Sequence, residues 1–258
     1  MEKKHRRNFA WLAIFTLATI AILARHNAPA PYQKASGLIF GTMYSVTYQS
    51  KTDLKTSIDS MLKVFDGSLS PFNDTATISR INRNERVIAD ELFATVFRKS
   101  LEVSEATGGA FDITVAPLVN AWGFGTSQVK GERLEVRGKI DSLKAFVGYR
   151  NIQLEGHTLL KNDERIVLDA SAIAKGYACD VIAELLLQND IENLLVDIGG
   201  EVVVKGYNDK GQAWRVGITR PTIDATGAEQ ELQEVIASHH LCMATSGNYL
   251  QYYFVDGQ

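Results

Sequence analysis

Two cysteines in 258 residues, Cys179 and Cys242, are too few for a disulfide framework or a cysteine-rich zinc site. Proline is scarce at five, and with 20 glycines this excludes collagen-like repeats and low-complexity scaffolds. A chain that is 45% hydrophobic and 22% charged can bury a core, which excludes disorder. The net charge is −3 and no basic patch lies beyond the N-terminus, so nucleic acid is excluded as a partner. No Gly-x-Ser-x-Gly elbow and no Walker loop is present, leaving a serine hydrolase and a P-loop nucleotidase unsupported. His239-His240 is the sole histidine pair, and neighbours on a strand point to opposite faces, which makes poor joint metal ligands. Internal repeats are also lacking.

What the chain does have is an asymmetry at its start. Lys3, Lys4, Arg6, Arg7 and Arg25 face one acid, Glu2, within residues 1–30; the remainder holds 22 basic and 29 acidic residues, a net of −7. The basic cluster precedes 16 residues without charge, Phe9 to Ala24, which is the pattern of an export segment. As a helix that run measures roughly 24 Å, somewhat short of a bilayer core of about 30 Å. Residues 1–31 are therefore expected to be a membrane anchor, or a signal cleaved after Ala28-Pro29-Ala30, where Pro31 disfavours the cut. Either outcome places residues 32–258, read as one domain, on the extracytoplasmic face of the inner membrane.

Along that body, Leu38 to Tyr48 alternates like a strand, interrupted at Gly41-Thr42. Leu54, Ile58, Met61, Leu62 and Phe65 predict an amphipathic helix capped near Asp53. The loop Ser70–Asp74 leads to a short helix ending near Ile81, and a longer one spans Asp90 to Thr107, stopped by Gly108-Gly109. Asp141 is read as the cap of a short helix containing Leu143, Phe146 and Val147. Strands follow at Asn151–Leu154, Thr158–Lys161 and Arg165–Asp169. A helix from Ala172 to Gln188 is expected to bury Ile173, Tyr177, Val181, Ile182, Leu185 and Leu186. Six strands close the sequence: Leu194–Ile198, Glu201–Lys205, Trp214–Thr219, Leu232–Ala237, Leu241–Thr245 and Tyr249–Val255. The last enters an Asp256-Gly257 turn, so a longer protein is expected. Helices and antiparallel strands in irregular order predict an α+β fold with mixed or antiparallel sheets and packed helices.

Three clusters carry candidate chemistry, each with a plainer reading beside it. Gly108 to Thr114, followed by Trp122-Gly123-Phe124-Gly125, offers backbone approach and stacking area for a flat ligand; equally it reads as a helix stop with Phe111 and Trp122 in the core. Asp169 to Asp180 passes from a strand end into a helix, where free amides and Lys175 suit an anion such as a diphosphate; equally it is a capped helix with a solvated lysine. Asp197-Ile198-Gly199-Gly200-Glu201 is most simply a tight hairpin, and Ser246 has no evident base. Cys179, in a helix, and Cys242, in an apolar strand, read as buried thiols.

Taken together, Gly41-Thr42, Ser79-Arg80-Ile81-Asn82, residues 108–125, residues 168–180, DIGGEVVVKG, WRVGI and ATSGNYLQYY resemble, in order and spacing, the FAD:protein FMN transferase (ApbE-like) family over roughly residues 37–258. The resemblance implies an ApbE-like flavin transferase fold and an enzyme using FAD and Mg2+. Such an enzyme moves FMN onto a Thr or Ser hydroxyl of an acceptor protein and releases AMP. It implies acceptors among subunits of membrane redox complexes of the NADH:quinone oxidoreductase and Rnf type. Carried over by position, Phe40 stands where the family often has Met beside the flavin, and Phe72 where a Tyr packs on the dinucleotide. Ala110, Phe111 and Asp112 match the segment bordering the FAD, Asp169 the acid that holds it, and Lys175 a polar residue one turn on. The Ala172 carbonyl matches a main-chain metal ligand, while Ala170-Ser171 replaces a more common Leu-Gly. The family's His-x-Ile-Asp-Pro-x-Thr-Gly segment and its Asp and Thr metal ligands would fall beyond Gln258. Other readings are an FAD diphosphatase, a membrane-anchored flavin carrier without catalysis, or a scaffold whose site is not used.

Overall fold

The computed structural model describes Thr16 and residues 29–125, 134–220 and 232–247. The apolar segment expected near the N-terminus, the expected strand Tyr249–Val255 and its Asp256-Gly257 turn lie outside the described residues. No helix among the described residues is long and apolar enough to cross a membrane.

The stretch read as one interrupted strand is instead a hairpin. Strand β1 (Tyr32–Ile39) pairs antiparallel with β2 (Thr42–Gln49), and Phe40-Gly41 is the two-residue turn, at φ +53° and +72°. Two successive left-handed residues suit the twist of paired strands. Sequence pattern misses this turn because a bulky aromatic rarely takes positive φ. Beside β2 lie β5 (Leu194–Ile198), β6 (Glu201–Lys205) and β9 (His240–Met243), giving an antiparallel sheet in the order β1-β2-β5-β6-β9. Gly199-Gly200, at φ +60° and +91°, makes the β5–β6 turn in the same way. Two ribbons, β3 (Ile152–Glu155) with β4 (Thr158–Lys161) and β7 (Trp214–Thr219) with β8 (Leu232–Ser238), complete the strands.

Helix α1 (Lys55–Leu69) buries Ile58, Leu62, Phe65 and Leu69, one stripe at helical spacing, onto the main sheet. Behind it come α2 (Thr77–Asn82), α3 (Glu91–Ala106), α4 (Ala116–Ala121) and α5 (Leu134–Lys144). Asp141 lies inside α5 and pairs with Lys144 at 3.2 Å, so it is a surface partner rather than a cap; Phe146 and Val147 follow the helix. The other major core helix is α6 (Ser171–Leu187). It turns Ala174, Ala178, Cys179, Ile182, Ala183 and Leu186 fully inward, while the expected Ile173, Tyr177, Val181 and Leu185 are only partly buried. Alanines at the contact let the helix lie close to its neighbours, and the larger side chains pack along its flanks. Val202, Val204, Trp214 and Val216 form a second, smaller core between β6 and the β7 ribbon.

Asp90 ties three elements together. Its carboxylate accepts from the Phe93 N–H at 2.9 Å, capping α3, and from Ser68 Oγ and Thr77 Oγ1 at 2.6 Å each. Burial acts to raise its pKa, but these hydrogen bonds outweigh it and hold the carboxyl below its ordinary value. A lowered folded-state pKa contributes stability above the ordinary carboxylate range, lost as pH falls through the folded value. Asp90→Ala is expected to cost about 1–3 kcal/mol at neutral pH. The cost should shrink on acidification below pH ~4, as urea titrations at several pH values would measure.

Candidate active site

The loop after α1 is built to hold one ring outward. Asn73 bonds through Nδ2 to Asp66 on α1 at 2.7 Å and accepts from Thr75 N and Oγ1, fixing the turn that carries Pro71 and Phe72. Phe72 is left 68% exposed. Across from it, Gly123 at φ +79° ends α4, and the Phe124 amide turns back to the Val119 carbonyl at 3.1 Å. This presents Phe124, 45% exposed, toward the same space.

Between them lies a cleft of about 380 Å³ whose floor is Val167, Leu168, Asp169 and Ser171. An adjoining apolar pocket of about 130 Å³ shares Pro71, Phe72 and Ser171 and is lined further by Phe40, Phe65, Leu69, Ala174 and Lys175. Concave space of this size with aromatic walls and a few polar groups is the usual form of a small-molecule site. The loop that follows Trp122, through Phe124 and Gly125, and the turn into α6 thus line one cleft.

Asp169 Oδ1 accepts from the Ser171 N–H at 2.8 Å, which forms the turn into α6. Its other carboxylate oxygen has no protein partner among the described residues. Of the amides opening α6, those of Ser171, Ile173 and Ala174 are taken by Asp169 and the Ala170 carbonyl. The Ala172 amide, at the exposed head of this 17-residue helix, has no protein partner among the described residues. Lys175 is a less simple anion donor than its position in sequence implies. Its Nζ lies 2.8 Å from Glu201 Oε2, close enough for an ion pair although the N–H is not aligned on that oxygen. It also donates to the Gly199 carbonyl at 3.3 Å. It borders both the apolar pocket and a third, larger cavity of about 950 Å³ between the main sheet and β7.

The structure brings Phe40, Phe72, Asp169 and Lys175 together around this space, while Ala172, next to the lining residue Ser171, is not itself in the cavity walls. It does not bring Ala110, Phe111 and Asp112 into the cavity walls. The Asp112 carboxylate is occupied with the Thr114 amide and hydroxyl and the Tyr149 amide, at 2.6–2.8 Å. Phe111 and Trp122 are half-buried, so neither belongs to the core. Asn82, Arg83 and Asn120 also line the cleft. No group of three or more His, Cys, Asp or Glu able to hold a metal occurs among the described residues.

The thiols differ. Cys179 is buried against the Glu201 carbonyl and its pKa is pushed up to about 12, first by burial; Cys242 is exposed, contrary to the sequence expectation. Cys242 lies on β9, a four-residue strand at the end of the sheet order among the described residues. An alkylating reagent at pH 8 is expected to label one thiol in the folded chain and both after denaturation, as intact-mass measurement would show.

Residues 40–258 match the profile of the ApbE family. The chain belongs to that family. A protein of Vibrio cholerae called FAD:protein FMN transferase is 35% identical over 96% of this chain and 75% of its own length. One of the same name from Haemophilus influenzae is 34% identical over 95% and 74%. Among solved structures, the flavin transferase ApbE from Vibrio cholerae superposes with a TM-score of 0.77 at 33% identity, covering 88% of this chain and 75% of that one. The apo flavinyl transferase ApbE of Pseudomonas stutzeri gives 0.75 at 26% identity, covering 88% and 74%. The α+β arrangement with antiparallel sheets is therefore the ApbE flavin transferase fold.

Proposed function

We propose that this ApbE-family chain is a flavin transferase that takes FAD as substrate and moves its FMN half onto a Thr or Ser hydroxyl of an acceptor protein. The hydroxyl oxygen bonds to the flavin-side phosphorus, the bond to the bridging oxygen breaks, AMP leaves, and the hydroxyl proton passes to a base. The observation that supports this reading best is the pair of outward rings, Phe72 and Phe124, on a cleft floored by Asp169 and the head of α6. Aromatic faces suit the flat rings of a dinucleotide, and the Ala172 amide at a helix N-terminus suits its phosphates. Asp169 contributes a free carboxylate oxygen as acceptor, and Phe40 and Phe65 supply an apolar recess. Holding the phosphates against this frame supplies positioning.

Magnesium, when bound, would offset the diphosphate charge; the family resemblance implies the Ala172 carbonyl as one ligand, and no carboxylate cage occurs among the described residues. That donor set fits an ion taking most ligands from phosphate and water. We propose acceptors among membrane redox subunits and an extracytoplasmic location, in keeping with the basic and apolar N-terminal sequence. Incubation with FAD, Mg2+ and an acceptor domain is expected to raise the acceptor's mass by that of FMN less one water, the mark of a phosphoester, and EDTA should abolish the gain. Release of AMP without an adduct would favour a diphosphatase. FAD uptake with no turnover would favour a carrier.

A further inference from the structure

Residues 166–170 have the burial rhythm of a strand without having a strand beside them. Ile166, Leu168 and Ala170 are buried at 1%, 1% and 0% exposure, while Val167 and Asp169 alternate outward and line the cleft. The segment expected as the strand Arg165–Asp169 pairs with no other strand among the described residues. Buried backbone must nonetheless be satisfied. Here side chains and a loop carbonyl do it. The Asn82 amide donates to the Leu168 carbonyl at 2.9 Å and accepts from the Leu168 N–H at 2.8 Å, the two bonds a neighbouring strand residue would exchange. Lys161 Nζ donates to the Ile166 carbonyl at 3.0 Å, and the Asp169 N–H bonds the Ile113 carbonyl at 2.7 Å.

We propose that Asn82 and Lys161 are positioning residues, which together stand in for a neighbouring strand and fix the rail 166–169 that carries Asp169 into the cleft. The proposal rests on the flavin reading only for what Asp169 meets there. The two side chains act on one spot from different elements. Lys161, at the end of β4, also donates to the Ile81 carbonyl at 3.1 Å, the residue just before Asn82 in α2. The end of α2 is thereby joined to the rail at two successive residues. Lys161 makes no ion pair among the described residues, and burial lowers its pKa against the opposing charge of Glu164. An amine kept half-buried without an ion-paired carboxylate serves geometry, since its donors reach two carbonyls at once. Asn82 borders the cleft and Lys161 does not, so Lys161 isolates positioning from contact. Displacements of about 1 Å at such a support are enough to cost a site about a hundredfold.

The test compares the wild-type chain with Lys161→Met, Lys161→Arg and Asn82→Ala, reading FAD affinity by flavin fluorescence and amide exchange at Leu168 and Asp169. In the wild type the Leu168 amide is expected to be protected as strongly as those of β5. Lys161→Met should weaken FAD binding at least tenfold and speed exchange at Leu168 and Asp169 at least tenfold, with Asn82→Ala doing the same. Lys161→Arg, which can still donate to both carbonyls, should recover most of each effect. A Lys161→Met chain that melts lower but binds FAD as the wild type does would overturn the proposal. So would a wild-type Leu168 amide that exchanges like an exposed loop, even if no variant folds. A wild-type chain that takes up no FAD would sink the flavin reading instead, and the exchange data would still decide whether the two side chains hold the rail.

Discussion

Asp169→Asn is expected to weaken kcat/KM for FAD about tenfold to a hundredfold while leaving the fold intact, the loss of one hydrogen bond to a charged group. The substitution is nearly isosteric and keeps the Oδ1 acceptor that the Ser171 amide uses at 2.8 Å, so the turn into α6 survives. What changes is the other carboxylate position, an acceptor facing the cleft, which becomes an NH2 donor. A ligand hydroxyl or amino group donating there would then meet another donor. Asp169→Ala should do worse than Asp169→Asn, because it also removes the turn bond and loosens the helix head that offers the Ala172 amide. Steady-state flavin transfer, with circular dichroism to verify the fold, separates the two effects. Equal activity of Asp169→Asn and wild type would remove Asp169 from the site.

Phe65→Ala is expected to have the largest effect on stability, about 3–5 kcal/mol. Phe65 is 1% exposed, in the stripe of α1 that faces the sheet, and its ring lies 5.6 Å from that of Phe40 and 5.7 Å from that of Tyr177. The same ring is a wall of the 130 Å³ apolar pocket. Removing it leaves a cavity beneath Phe40, a residue held by its turn at positive φ, and that ring loses the surface it rests on. At roughly 2–4 °C per kcal/mol for a chain of this size, the melting temperature should fall by about 6–20 °C. Phe65→Leu, which fills much of the space, should cost clearly less. A thermal scan decides the matter; a shift of only a degree or two for Phe65→Ala would mean the ring is not core.

The elements legible from sequence are those whose evidence is local. The apolar stripe of α1, the start of α3 at Asp90 and its Gly108-Gly109 stop, and the Gly199-Gly200 turn are each written within a few residues. The β1–β2 turn was illegible because Phe40 adopts a backbone state its side chain disfavours, tolerated where its ring packs on Phe65. The burial of α6 was legible at Ile182 and Leu186, but Ile173, Tyr177, Val181 and Leu185 are only partly buried; the helix is apolar nearly all round, so periodicity could not say that its alanines face inward.

In the site the division is similar. Asp169, Phe72 and the Trp122–Gly125 loop stand out through composition and family resemblance. Asn82, Arg83 and Asn120 sit on or beside short helices with no periodic signal, and Asn82 drew notice only within a matching motif. The stacking surface also depends on which rings remain exposed, and sequence distance does not tell.

By itself the sequence determined the α+β class, the main helices and the family, because caps, periodicity and long motifs are properties of neighbouring residues. Tertiary structure alone decided that the loop after α4 faces the turn into α6 across one cleft, that Glu201 draws on the charge of Lys175, and that an asparagine from α2 completes the backbone of a segment 86 residues away. Those facts depend on distances through space between groups far apart along the chain, and no local pattern encodes them.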